Sequence, residues 1–238
     1  GMQYRDLIPS RLGGSIIASH IRIPNGGAVP DMVHFHSVGF QLIYCYKGWV
    51  DLVYEDQCPP FRLHAGNCVI QPPEIRHRVL FASDNIEVIE IGVPAEHITT
   101  IDHDMDLPTA ELKPEREFSG QKFVHCQAHD AEWQPYRLPG FLGRDTSISH
   151  NTQAVADVQL VKLGDGAPVW VTHNSDIHFT FVLEGSLILE GADQPAQHLV
   201  AGDAFVIPPG MKFCYQSPSQ DISLLEVSLP GDFEIETV

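Results

Sequence analysis

The segment Val33-His34-Phe35-His36-Ser37-Val38-Gly39-Phe40-Gln41 sets two histidines one residue apart, and a third follows downstream in Arg76-His77-Arg78. On an extended strand, side chains at i and i+2 leave by the same face, so His34 and His36 point together. Gln41 lies five residues past His36, where strict alternation would turn it away; Gly39 offers the bend or bulge that restores it. A strand after the turn Gln71-Pro72-Pro73-Glu74 would bring His77 opposite the pair. Three imidazole nitrogens and one amide oxygen form a mixed N/O donor set. It suits Fe, Mn, Ni, Zn, Co or Cu better than Ca or Mg. One divalent transition metal held by His34, His36, Gln41 and His77 is the expected chemistry, with a hydrogen bond to the site as the other role for Gln41.

The elements that must position these residues come in two copies. Tyr4-Arg5-Asp6-Leu7 is matched by Gly143-Arg144-Asp145-Thr146, and Gly48 by Gly185. His64-Ala65-Gly66-Asn67 is matched by Val200-Ala201-Gly202-Asp203, and Gln71-Pro72-Pro73-Glu74 by Ile207-Pro208-Pro209-Gly210. The offset drifts only from about 139 to about 136 residues, as small loop differences produce, so the chain is a tandem duplication. Stretches such as Gln41–Tyr46 and Ile177–Leu183 are rich in β-branched and aromatic residues and are bounded by turn formers. No stretch of the repeats keeps a capped 3.6-residue apolar period. The predicted fold is all-β: barrels at 1–97 and 138–238, joined by a charged, proline-containing connector at 98–137.

Composition narrows the function classes. Fourteen Lys and Arg face 31 Asp and Glu in 238 residues, a net charge of −17, which disfavours nucleic acid and anionic membranes as partners. No apolar run approaches the length of a membrane span, and the first residues lack the pattern of a secretory signal, so a cytoplasmic protein is expected. Five cysteines without a CxxC pair read as free, mostly buried thiols. There is no GxSxG elbow, P-loop, HExxH or GxGxxG after a strand.

The paired histidines, His77, Gly48 and Gly66 together resemble the cupin signature, and the chain resembles a bicupin with two jelly-roll barrels. The resemblance spans both repeats and leaves the connector out. It implies His34, His36 and His77 as metal ligands, and puts Gln41 where the family usually has Glu. Glu74 stands where the family has Gly, which implies a different turn. In the second half the equivalent positions are Val171, His173, His178 and Phe213, an eroded ligand set, so the metal is expected in the first barrel alone.

The expected function is a metal-dependent enzyme on a small organic substrate, first of all dioxygenase-type oxidative cleavage. A redox-neutral lyase or isomerase, or a small-molecule-binding, sensory bicupin without turnover, are the alternatives. Phe35, Ile43, Cys45, Val79 and Phe81 are candidates to line the pocket, and Arg76 or Arg78 to meet a substrate carboxylate. His20, His64, His97, His103, His125, His129, His150 and His198 read as surface or structural histidines. A homodimer is expected because apolar strands need edge protection.

Overall fold

Apart from one helical turn at Ile148–Asn151 and a tight turn at Arg11–Gly14, the regular structure is β-strand. The computed structural model describes residues 1–238 and divides into two units, Gly1–Ala128 and His129–Val238. In the first unit one antiparallel sheet runs Gln3–Asp6, Ile17–Ile23, Ile86–Val93, Phe40–Lys47, Cys68–Ile70, His125–Cys126. The other runs Thr99–Ile101, His34–His36, His77–Ala82, Trp49–Tyr54, Phe61–His64. Cys45 and Ile86 of the first sheet pack with Val50, Leu52, Tyr54, Leu63 and Ala82 of the second, closing a jelly-roll sandwich over one apolar core.

The second unit repeats this plan. Phe141–Asp145, Asp157–Leu163, Ser223–Leu229, Ile177–Glu184 and Ala204–Val206 stand in the order of their counterparts, and Ser186–Gly191, Phe213–Gln216 and Val171–His173 follow in the other sheet. Even the hairpin turns are shared. Gly48 and Gly185 adopt φ of 75° and 73°, and a Cβ on either would run into the hydroxyl of Ser83 or Ser219. Each serine instead accepts the next backbone N–H, from Trp49 at 3.0 Å or from Ser186 at 2.9 Å. Only glycine fits both the dihedral and the space. No helix is long and apolar enough to cross a membrane.

Three expectations change. Residues 98–137 are not a free connector: Thr99–Ile101 pairs with His34–His36, His125–Cys126 with Cys68–Ile70, and Gln134–Pro135 with Phe141–Asp145. The neighbouring strands have backbone groups to satisfy, and short edge strands do so with few strand-forming residues. Gly39 is no bulge within one strand. His34–His36 and Phe40–Lys47 belong to different sheets, and Gly39 lies in the break between them, its N–H on the Val93 carbonyl. Glu74, finally, keeps the turn of its counterpart Gly210. Its φ is 64° against 78° for Gly210, and its N–H donates to the His36 carbonyl as that of Gly210 does to His173.

Candidate metal centre

His34 and His77 face each other directly across paired strands, and His36 lies two residues along on the same face. The ring centroids are 4.3 Å apart for His34–His77 and 5.2 Å for each of the other two pairs. One nitrogen from each ring lies within 4.8 Å of the others. Every Nδ1 already has a protein partner: the Met32 carbonyl at 2.8 Å for His34, Thr99 Oγ1 at 2.8 Å for His36, and the Ile75 carbonyl at 3.0 Å for His77. This leaves each Nε2 for a ligand and fixes the rings, as the outer partners of metal-binding histidines do. Burial, then the neighbouring His34, pushes His77 down to about 3 and His36 down to about 4. Both are uncharged at neutral pH, the form that binds metal. The donor set therefore fits a transition metal.

Gln41 lies in the other sheet, is 1% exposed, and is not among the residues that line the cavity of the three histidines. Its Nε2 donates to Glu90 Oε1 at 2.7 Å, while its Oε1 has no hydrogen-bond partner. Burial raises the Glu90 carboxyl above its ordinary pKa. Glu90 lines, with the three histidines, a cavity of ≈ 530 Å³ between the sheets. Sequence reasoning missed it. The available signal was alternation: Ile86, Val88 and Glu90 all face the cavity, so a glutamate continues an apolar, inward-facing row.

Tyr54 was missed as well. Its ring lies 5.6 Å from His77, and its hydroxyl accepts from Gln71 Nε2 at 2.9 Å. His97, read as a surface residue, lies 5.6 Å from His36 ring to ring, with no local sequence signal to announce it. Of the expected lining residues, Ile43 and Val79 face the cavity. Cys45 packs in the core, Phe35 lies under the Arg76 guanidinium, and Phe81 is exposed and stacked on Trp49. Arg76 is paired with Asp102 at 3.0 Å, and neither it nor Arg78 lines the cavity.

The second barrel puts different groups at the same places. Val171 faces Phe213 in the register where His34 faces His77. Phe213 is buried against the rings of His173 and His178. The two histidines are committed: His173 Nε2 to the Ile207 carbonyl at 2.9 Å, His178 Nδ1 to Ser228 Oγ at 2.9 Å. Glu226, 2% exposed, accepts from Tyr136 at 2.6 Å and Tyr215 at 3.1 Å. Burial pushes the Glu226 carboxyl up and each histidine down to about 4.

Comparison with known proteins gives the following. Residues 158–228, in the second barrel, match the Cupin domain family. No curated protein sequence matches the chain. Among solved structures, a deletion mutant of Bacillus subtilis oxalate decarboxylase superposes at TM-score 0.70 with 13% identity, over 100% of this chain and 74% of that one. Another structure of that enzyme, described by its Mn(II) centres, superposes equally well over the same shares, at 13% identity. Salicylate 1,2-dioxygenase from Pseudaminobacter salicylatoxidans superposes at TM-score 0.70 with 14% identity, over 94% of this chain and 75% of that one. Identities this low speak to the fold.

Proposed function

Since the chain is a cupin-superfamily protein built as two jelly-roll barrels, we propose that its first barrel is the active site of a metal-dependent enzyme on a small organic substrate, with dioxygenase-type oxidative cleavage as the reaction. The observation that carries this reading is the triad: three imidazoles, each tied through Nδ1, that open on a cavity of organic-ligand size. A bound metal would supply Lewis acidity and a template with positions open for substrate and dioxygen. His34, His36 and His77 hold it, and Gln41 either adds its Oε1 or orients what binds there. The Tyr54 hydroxyl, already accepting from Gln71, keeps its proton for a substrate oxygen.

One observation favours a redox-neutral lyase or isomerase as the second reading. Glu90, raised by burial and open to the cavity, is suited to exchange a proton with a substrate. Oxygen uptake by the metal-loaded protein with diketones, flavonols and hydroxylated aromatics is the test. Substrate-dependent uptake supports cleavage by dioxygen. Turnover under argon favours the second reading, and binding without turnover points to a sensor. Five cysteines without a disulfide between them fit a reducing compartment such as the cytoplasm. We place the protein there as a homodimer; a mass near 26 kDa by light scattering would refute the dimer.

A further inference from the structure

The cavity of the first barrel has a filled counterpart in the second. Tyr215 stands two residues past Phe213, as Val79 stands two past His77, and its hydroxyl donates to Glu226 Oε1 at 3.1 Å. Tyr136 follows the edge strand Gln134–Pro135 and donates to Glu226 Oε2 at 2.6 Å. In the first barrel Val79 has no hydroxyl to offer Glu90. Nor does any strand lie beyond Gln3–Asp6, the end of its sheet, to bring in a second tyrosine.

That end strand carries a ring of its own. Tyr4 pairs with Ile21 and Ile21 with Val88, two residues before Glu90. Gly143 pairs with Val161 and Val161 with Leu224, two residues before Glu226. Tyr4 and Gly143 therefore hold one place in the two barrels. A Cβ on Gly143 would lie 2.6 Å from the Tyr136 ring, so Tyr136 fills the space into which a side chain at this place projects. Tyr4 lines the cavity but is 66% exposed, and its hydroxyl donates to the Met2 sulfur. Gln41 engages Oε1 of Glu90, as Tyr215 engages Oε1 of Glu226. Tyr4 and Glu90 are two strands and two residues apart, about 12 Å between Cα atoms at ordinary strand spacing. Tyr136 reaches its carboxyl from one strand further out.

We propose that Tyr4 gates the first barrel: its ring alternates between the rim and the place that Tyr136 holds in the second barrel, where its hydroxyl donates to Glu90. With the ring inside, the cavity is closed on that side; with the ring at the rim, molecules enter and leave. The inward ring gains apolar contact with Ile21 and Ile23, which line the cavity, and a carboxyl partner in place of a thioether. An exposed side chain changes rotamer within nanoseconds, so the strand itself need not move. Burial, then the Glu90 carboxylate, raises the Tyr4 hydroxyl above its ordinary pKa, so each group already lies in the field of the other. The gate deepens the reading of this cavity as an active site, since it names what controls entry, and it operates with or without a metal.

The test reads access to the cavity through a thiol placed on its wall. Val79→Cys in the full chain is treated with methyl methanethiolsulfonate, a small uncharged reagent, and the labelling rate is followed by peptide mass spectrometry. Cys58, half-buried and outside the cavity, is the internal reference. The rate at position 79 follows the fraction of open gate, so adding Tyr4→Ala is expected to raise it about threefold or more. Tyr4→Phe keeps the ring and loses the bond to Glu90, and is expected to raise the rate by about twofold or more. An unchanged rate in Tyr4→Ala, a parent-like rate in Tyr4→Phe, or an acceleration that Cys58 shares would each overturn the proposal. Zn(II) uptake by chelator competition is read separately: its absence removes the metal reading alone, and the gate stands or falls on the labelling.

Discussion

Glu90 and Glu226 occupy the same place in the two barrels. Each lies on the strand whose register sets Gln41 beside Gly92 in one barrel and His178 beside Ser228 in the other. Each therefore meets a side chain of the neighbouring strand, Gln41 in one barrel and His178 in the other. Glu90 takes the Gln41 amide and opens on a cavity; Glu226 lies within 4.0 Å of His178 and is sealed by two tyrosine hydroxyls. The duplication has kept the carboxyl and changed its access to solvent.

This pairing alters what Gln41→Glu should do. Alone, the change sets two carboxylates in contact where an N–H···O bond of 2.7 Å stood, so repulsion offsets the gain of an anionic ligand. Gln41→Glu with Glu90→Gln restores the bond with its polarity reversed. The double variant is expected to bind Zn(II) about tenfold or more tightly than Gln41→Glu alone, by chelator competition. Equal affinities would show that the two side chains do not act as a unit.

One transition metal per chain is expected, and His77→Ala should abolish tight binding, because it removes the ring whose Nδ1 is held by the Ile75 carbonyl. Metal content by mass spectrometry on untagged protein is the measurement. One equivalent retained in His77→Ala would refute this and point to the barrel of His173 and His178.

Stability should fall with acid, and the second barrel isolates the cause from metal binding. His178 titrates at about 4 when folded, against an ordinary 6.5. Below 6.5 the unfolded chain takes up a proton that the folded chain refuses, so the stabilisation present above 6.5 is lost as pH falls toward 4. Glu226, raised by burial, works in the opposite sense, since its folded form holds a proton more firmly than the unfolded chain does. His178→Gln, which copies the first barrel, is expected to shrink the loss in unfolding free energy between pH 7 and pH 5 by about 1–2 kcal/mol. An unchanged difference in urea titrations at the two pH values would refute this.

Glu74 holds a left-handed conformation, φ 64°, at the place where the second barrel has Gly210. Glu74→Gly relieves about 1 kcal/mol of backbone strain, less the entropy that glycine costs. The melting temperature should rise by about 2 °C. A fall would mean that the glutamate side chain contributes more than its backbone costs.

The sequence by itself determined the duplication, the β class and the three histidines. The i, i+2 spacing of His34 and His36 fixes a shared face on any strand, and repeated glycines at 48 and 185 mark turns that no other residue fits. Tertiary structure decided everything that depends on which strands become neighbours. Phe40–Lys47 leaves the sheet of His34–His36, so Gln41 lies in the opposite sheet against Glu90 rather than further along one strand. Thr99, in a segment that reads as a connector, becomes the partner of His36 only because its strand completes an edge. Glu90 stands far from the histidines in sequence; alternation sets it in one row with Ile86 and Val88 and sets Glu87 in the other, toward His20 and Lys47, without saying which row the histidines meet. Alternation gives two faces to every strand, and only the cross-strand register says which of them looks into the cavity.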